Sequence, residues 1–425
     1  MAASASADGW ASRRRAGREQ IPRATKREEH SMAGREVVVL SAVRTAIGDY
    51  GGGLKDVALV DYAGAVIKEA MARSKADPKD IGQCVVGSVI HGETRDMYVS
   101  RVACIKGGLP QETMAFTLNR LCGSGLQAIV CASQSILLGD TDAAVAGGAE
   151  SMSRAGYTIP TARWGQRMND GKILDMMVGA LTDPFDAVHM GVTAEAVAKK
   201  WSISREEQDA FAVESHKRAI AAIQGGRFKE QILPIEVKTR KGPVPFDTDE
   251  HPRADASMAG MGKLKTVFDK EGSVTAGNAS GINDGAAAVV LMEAGAAASK
   301  GLKPIARLVA YGHSGVDPKI MGIGPVPAVK SALARAGLKV SDMDVIESNE
   351  AFAAQACAVS KELGFDPVKT NVNGGAVALG HPIGATGAIL SVKCIYELHR
   401  SGGRYGLVTM CIGGGQGIAA IYERL

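Results

Sequence analysis

Leu118, Asn119, Arg120, Leu121, Cys122, Gly123, Ser124, Gly125, Leu126, Gln127 and Ala128 form the stretch on which the reading of this chain turns. A cysteine stands directly before a Gly-Ser-Gly turn, and an apolar segment of helical character runs on through 126–138. That order puts the thiol at a helix N-terminus, where unpaired N–H groups and the positive end of the helix dipole favour thiolate over thiol. The position suits a nucleophile. A small buried cysteine at a helix start is the ordinary alternative, and the rest of the chain has to separate the two.

Outward from this stretch the pattern is α/β. Val37, Val38, Val39 and Leu40 read as a strand buried on both faces, 62–73 as a helix, 84–90 as a strand, and 143–146 as an inner strand ending on Gly147 and Gly148. Strand, helix and strand joined by short Gly or Asp turns make an α/β layer. From 153 to 275 the character changes: short irregular pieces precede helices at 193–201 and 205–224, and a basic, Pro-containing segment leads to Arg253. Long insertions of this kind commonly carry substrate contacts on a rigid layer. Then the first pattern returns, with strands at 285–292, 306–311 and 344–348, helices at 328–336, 352–363 and 388–398, and a final inner strand at 407–411.

The two parts echo each other. The Cys-Gly-Ser-Gly turn (122–125), its helix and its Gly-Gly-ended strand match the Gly-Ala-Thr-Gly turn (384–387), its helix and its Gly-Gly-Gly-ended strand; 80–89 likewise matches 342–350. An internal duplication follows, and a site between the halves would draw residues from both. The expected organisation is an extension at 1–33, a first half at 34–152 closed by 276–300, a loop domain at 153–275, and a second half at 301–425.

Composition narrows the class. The 425 residues suffice for more than one domain and a well-buried core. The 52 glycines exceed the usual share of roughly 7% and sit beside short apolar runs, which points to a site built largely from main chain. Seven cysteines without a secretory segment argue for reduced thiols in a cytoplasmic setting rather than a disulfide framework. A net charge of +4 is too weak and dispersed for nucleic acid, and no apolar run is read as reaching the roughly 18 residues of a membrane span. The basic leader, 1–31, lacks an amphipathic pattern and carries Asp8, Glu19, Glu28 and Glu29; it is expected to be a disordered extension, with Met32 a candidate initiator. No Walker or Rossmann fingerprint and no zinc-type Cys/His spacing is present, so neither a metal nor a redox cofactor is expected.

Three residues now occupy corresponding places: Cys122 before a helix, His381 in the matching turn, and Cys411 at a strand end. With Asn119 to Gly125 around the first, Asn349, Glu350, Ala351 and Phe352, then Gly380 to Gly384, and Cys411 to Gly415, residues 36–425 resemble the thiolases, in particular the bacterial acetyl-CoA acetyltransferases and β-ketothiolases. The resemblance implies a duplicated, layered αβαβα fold with an inserted loop domain, and a reversible Claisen condensation of acetyl-CoA with itself or a short acyl-CoA. Cys122 would carry the acyl group, His381 would accept its proton, and Cys411 would act as carbon base. One oxyanion hole would combine His381 with a water held by Asn349; the other would use the backbone N–H groups of Cys122 and Gly413. His189, Met190, Arg253, Phe268, Ser280, Met321 and Phe352 match CoA or acyl contacts. Acetyl-CoA, short 3-ketoacyl-CoA and CoA are the implied partners, as substrates, and a homotetramer built as a dimer of dimers is the implied assembly. Residues 155–177, with Trp164, Arg167 and Met168, look closer to the β-ketothiolases of polyhydroxyalkanoate-making bacteria, which implies acceptance of short acyl groups beyond acetyl.

Each residue also has a plainer reading: Asn349 as a helix cap, Arg253 as a solvated charge, Met190 and Phe352 as core. Rival functions are a degradative 3-ketoacyl-CoA thiolase, a decarboxylating ketoacyl synthase, a cysteine hydrolase using Cys122, His381 and Asn349, and a non-catalytic acyl-CoA or lipid binder. The hydrolase leaves Cys411 without a task, and Cys411 in Cys-Ile-Gly-Gly-Gly favours thiolase over synthase.

Overall fold

The apolar runs of the sequence assemble into one 11-stranded ladder. The computed structural model describes residues 34–425, so the leader expected to be an extension lies outside the described residues. In chain order the strands of its main path are β1 (Val37–Thr45), β2 (Gln83–Gly87), β3 (Met114–Leu118), β4 (Ala143–Ser151), β5 (Asn283–Glu293), β6 (Ala306–Gly315), β7 (Val345–Ser348), β8 (Tyr405–Ile412) and β9 (Gln416–Arg424), with the two-residue strands Gly48–Asp49 and Ile232–Leu233 paired beside it. They lie side by side as β7-β8-β9-β6-β1-β5-β4-β2-β3. At the centre β1 and β6 meet antiparallel, Val37 opposite Leu308 and Val39 opposite Ala306.

From that seam the same path runs both ways. Outward through β1, β5, β4 and β2 the pairings are antiparallel, antiparallel and parallel; through β6, β9, β8 and β7 they repeat in the same order. The echo in the sequence is therefore a repeat of topology. Beyond β2 lies the edge strand β3, and beyond β7 a single parallel bridge from Ile346 to Thr370 takes the corresponding place.

The helices used below are α1 (Leu59–Ser74), α2 (Ser124–Leu138), α3 (Met190–Trp201), α4 (Arg205–Gln224), α5 (Pro325–Ala336), α6 (Ala353–Leu363) and α7 (Thr386–Ser401). α1 covers the outer face of the first half and α5 that of the second, with α6 packed against α3, α4 and α5. α2 and α7 pack on each other and on strands of both halves, which gives the alternating α, β, α, β, α layers. Both central helices end on a left-handed glycine, Gly139 and Gly402, and α4 opens with a reciprocal Ser204–Glu207 capping box.

Small residues make the middle layer possible. β4 reads Ala-Ala-Val-Ala-Gly-Gly-Ala-Glu-Ser and is buried throughout. A Cβ at Gly148 would collide with the carbonyl of Gly384 and come within 3.0 Å of the Gly125 Cα, so the strand can hold the starts of α2 and α7 against it only as glycine.

Two sequence readings need correction. The chain does not end its sheet at 407–411: the Gly413 to Gly415 run is a turn, with Gly414 and Gly415 at φ 81° and 84°, and it reverses the chain into β9. An apolar run long enough for a membrane span also exists, because Leu121–Leu138 has a mean hydropathy of 1.5 over 18 residues. Its composition reflects its place, as α2 lies between two sheet halves and most of its apolar side chains are buried. β3 was outside the sequence reading because its alternation is blurred at a sheet edge, with Met114 and Phe116 exposed.

Gly148→Ala is expected to cost about 1–3 kcal/mol, the usual range for overpacking a tight core. Urea denaturation of the two proteins checks it; an unchanged midpoint would mean that the Gly384 turn can retreat without loss.

Candidate active site

The site lies where α2 and α7 begin. Ahead of α2, the Asn119 Oδ1 accepts the Leu121 N–H at 2.9 Å, while the Ser124 hydroxyl accepts the Arg120 N–H at 2.8 Å and donates to the Leu121 carbonyl at 2.7 Å. These bonds hold Leu121 at φ +46°, a strained value for a bulky residue. Leu121 and Cys122 both line a cavity of about 480 Å3.

Cys122, His381, Cys411 and Gly413 all line that cavity. The backbone N–H groups of Gly413 and of Cys122 itself lie against the Cys122 sulfur and lower its pKa, but burial outweighs them and pushes the thiol up to about 11, with the Glu150 charge adding to the rise. This corrects the expected thiolate: the helix start does supply N–H groups, yet desolvation dominates, so at rest the group is a thiol. Cys411 is fully buried; burial first, and then the nearby Cys122 group, hold its thiol well above the ordinary range.

His381 is fixed from three sides. Its backbone N–H donates to Asn283 Oδ1 at 2.9 Å. Its Nδ1 lies 2.7 Å from the Thr386 hydroxyl, which in turn donates to the Pro382 carbonyl at 2.9 Å. With the hydroxyl proton used there, Thr386 can only accept from the ring, so Nδ1 carries the proton and Nε2 is the free base. Burial lowers the imidazole pKa to about 4 and keeps it neutral. Nε2 lies 3.4 Å from the Asn349 Nδ2.

Asn349 is fully buried and its Oδ1 has no partner. It does not cap α6, whose N-cap is Phe352 without a side-chain bond, so the capping reading fails and the amide is left facing His381. Glu350 is structural in its contacts, accepting from Asn371 Nδ2, the Ser215 hydroxyl and the Val377 N–H.

Of the residues assigned to substrate contact, His189, Met190, Phe268, Ser280, Met321 and Phe352 line the same cavity. His189 caps α3 through Nδ1, which accepts the Gly191 N–H at 3.1 Å, and its ring stacks on Phe268 at 4.7 Å. Phe268 meets Phe352 edge-on at 6.4 Å, so the loop segment and the second half share one aromatic wall. Arg253 is not in this group: it lines a neighbouring cavity of about 410 Å3 with His216 and His251, and Ala276 borders both spaces. Sequence reasoning missed Thr386, Asn283 and Glu150. Thr386 was within reach, because aligning the two turns sets it on Ser124, whose hydroxyl also braces a helix start.

An α/β duplication with two thiols and a neutral imidazole on its shared floor defines an acyl-transfer type of site. Residues 37–295 match the family model for the thiolase N-terminal domain and 302–424 that for the thiolase C-terminal domain. The chain is 65% identical over 392 residues to the beta-ketothiolase BktB of Cupriavidus necator, covering 92% of this chain and all of that one, and 50% identical over 391 residues to an acetyl-CoA acetyltransferase of Chromobacterium violaceum, with the same coverage. Among solved structures, Bacillus anthracis acetyl-CoA acetyltransferase superposes with a TM-score of 0.90 at 46% identity (92% of this chain, 99% of that one). Human mitochondrial 3-ketoacyl-CoA thiolase in complex with CoA gives 0.89 at 44% identity (92% and 98%). The chain belongs to the thiolase family.

In a nitrogen-15 histidine NMR titration, His381 is expected to show the Nδ1–H tautomer and to stay neutral until the pH falls to about 4, below which it gains a proton. Thr386→Val removes the acceptor and should let both tautomers appear. A single unchanged tautomer in the variant would show that another contact sets the ring.

Proposed function

We propose that this thiolase, an acyl-CoA C-acyltransferase, makes and breaks the carbon–carbon bond of short 3-ketoacyl-CoA through an acyl group carried on Cys122. The observation that carries the reading is the enclosure, in one cavity, of Cys122, neutral His381 and Cys411 beside the backbone N–H groups of Cys122 and Gly413.

In the first step the Cys122 proton passes to His381 Nε2 as sulfur bonds to the thioester carbon of acetyl-CoA. The C–S bond to CoA breaks, and the CoA thiolate takes the proton back from His381. Neither group is charged at rest, so the proton moves with the attack rather than before it. In the second step Cys411 passes its own proton to His381 Nε2 and, as thiolate, removes the α-proton of a second acetyl-CoA or short acyl-CoA; the carbanion attacks the acyl carbon, the C–S bond to Cys122 breaks, and the Cys122 thiolate takes the proton from His381. A thioester α-carbon is a weak acid, and the enolate needs donors in place: His381, carrying the Cys411 proton on Nε2 at this stage, serves one oxygen together with a water held by Asn349, whose Oδ1 has no protein partner, and the N–H groups of Cys122 and Gly413 serve the other. Losing one such donor typically costs about 2.7–4 kcal/mol. The CoA thioesters are substrates, and no further cofactor is assigned.

The aromatic wall of His189, Phe268 and Phe352, with Met190 and Met321, suits the pantetheine arm and the acyl group. Arg253 in the adjoining cavity suits the anionic nucleotide end. The similarity to BktB supports a beta-ketothiolase among the acetyltransferases, with acyl groups somewhat longer than acetyl accepted and a role in polyhydroxyalkanoate or fatty acid metabolism. We further assign a homotetramer, a dimer of dimers. The exposed Met114 and Phe116 on edge strand β3, and the exposed Trp164, Met168 and Ile173 in the loop segment, support two separate contacts. Seven cysteines, all free among the described residues, fit a reducing cytoplasm, which the two site thiols need.

Mixed with acetoacetyl-CoA and CoA, the protein should consume the enolate absorbance and yield a trappable acetyl-enzyme. Cys122→Ala should abolish the acetyl-enzyme. Cys411→Ala should keep acetyl exchange with CoA and lose carbon–carbon cleavage. Absence of CoA-dependent cleavage by the unaltered protein would sink the thiolase reading, and equal loss of acetylation in both variants would sink the division of roles.

A further inference from the structure

Glu150 lies at the end of β4, fully buried, and the chemistry above gives it no task. Its Oε2 accepts the Gly384 N–H at 2.8 Å and the Val89 N–H at 3.1 Å, and its Oε1 accepts the Ile90 N–H at 3.0 Å. Val89 and Ile90 follow β2 in the first half, whereas Gly384 closes the His381 turn of the second. One carboxyl group therefore fastens together two segments that pack beside Cys122. No Lys or Arg side chain is among its hydrogen-bond partners in the described residues.

The ionisable groups around it are few. Asp284 on β5 acts on it directly. Tyr62 on α1 donates its hydroxyl to the Glu150 carbonyl at 2.7 Å, and Asp96 acts on that tyrosine. Cys122 is the remaining one, its thiol raised by the Glu150 charge. Burial, and to a lesser degree Asp284, raise the Glu150 pKa and the three N–H groups lower it, leaving it at about 8.

The duplication explains why an acid stands there. Aligning Cys-Gly-Ser-Gly with Gly-Ala-Thr-Gly sets Gly384 opposite Cys122. The N–H of Cys122 faces its own sulfur and the cavity, while the N–H of Gly384 faces Glu150. A helix start favours a negative charge. In the first half that place is open to substrate; in the second an internal carboxyl group fills it, its oxygen accepting the Gly384 N–H.

We propose that Glu150 is a positioning residue of the acyl-transfer site: its carboxyl group ties the His381 turn of one half to the 88–90 segment of the other, both packed beside Cys122, and through that placement it governs the reactivity of the Cys122 thiol. The proposal rests on Cys122 as nucleophile and His381 as its proton acceptor.

The test compares the full chain with E150Q and E150D. Iodoacetamide alkylates Cys122 as thiolate: sulfur bonds to the methylene carbon, iodide leaves, and the thiol proton goes to solvent, so the rate follows the thiolate fraction. It is read by mass spectrometry on the Cys122 peptide from about pH 6 to 10, across both coupled ionisations. In the unaltered protein the logarithm of the rate should rise with pH and bend downward where Glu150 ionises. E150Q should lose the bend and react several-fold faster above it. E150D keeps the charge and the bend, but the shorter arm releases at least one N–H, so kcat should fall several-fold with KM for acetyl-CoA little changed. Superimposable profiles for the unaltered protein and a folded E150Q, matched in circular dichroism and melting temperature, would overturn the influence of Glu150 on Cys122. Should E150Q not fold, a profile without a bend in the unaltered protein overturns that influence equally, and an unchanged kcat in E150D overturns the tie. If Cys122→Ala kept CoA-dependent cleavage, the underlying reading would fail instead, and the alkylation profile would still report on Glu150.

Discussion

The close contact between the first turns of α2 and α7 is the constraint from which the site follows. A Cβ at Gly125 would come within 2.8 Å of the Ala388 nitrogen, and Gly148 holds the strand beneath both turns at the same short range. Two helix starts are thereby brought to one point, each with backbone N–H groups that its own helix cannot use. A duplicated half alone would offer one such start and one strand end. Docked through glycines, the halves supply a thiol and N–H groups from one side and an imidazole, an amide and a second thiol from the other.

Enclosure has a cost that decides the protonation states. The N–H groups at Cys122 and the helix dipole favour an anion, yet burial prevails and the thiol stays protonated; the same burial keeps His381 neutral. The two effects act in concert. A cationic imidazole beside a thiolate would be a pair of buried charges, whereas a thiol beside a neutral base holds the same proton with no charge to desolvate. Thr386 completes the arrangement by holding the ring proton on Nδ1, away from Cys122.

Much of this was legible in the sequence because it is carried by turns. Cys122 before Gly-Ser-Gly, His381 in the matching turn and Cys411 before a glycine run are each marked by neighbours whose conformational needs show in one dimension, and all three line one cavity. The repeat of strand order likewise follows from the repeat of turn and helix. What escaped depends on burial or on contacts between distant segments. Neither the protonation of Cys122 nor the isolation of Arg253 in its own cavity has a local signature. Glu150 looks like any strand-end acid until Gly384, 234 positions away, is seen to donate to it. β9 was hidden by the glycines that turn into it, and the hydropathy of 121–138 reports a helix packed on strands of both halves of the sheet rather than a lipid environment.

On the proposed chemistry, one cavity serves two unlike steps, acyl loading and carbanion attack, and the distribution of donors shows how. Loading develops negative charge on the oxygen of the acyl group on Cys122; carbanion formation develops it on the oxygen of the second thioester. These oxygens cannot share a seat, since both are present when the carbon–carbon bond forms. The backbone N–H groups of Cys122 and Gly413 belong to the start of α2 and the end of β8, and the His381 and Asn349 groups to the start of α7 and the segment after β7. The duplication thus yields two anion seats from separate elements around a single sulfur. Cys411 is held by β8 next to Gly413 on its turn, so the carbon base and one of the seats are fixed by the same strand end. A hydrolase would need only one seat and would have to admit water between them; here the apolar wall of Phe268, Phe352, Met190 and Met321 borders that space, which favours capture of the acyl group by carbon or by CoA over loss to water.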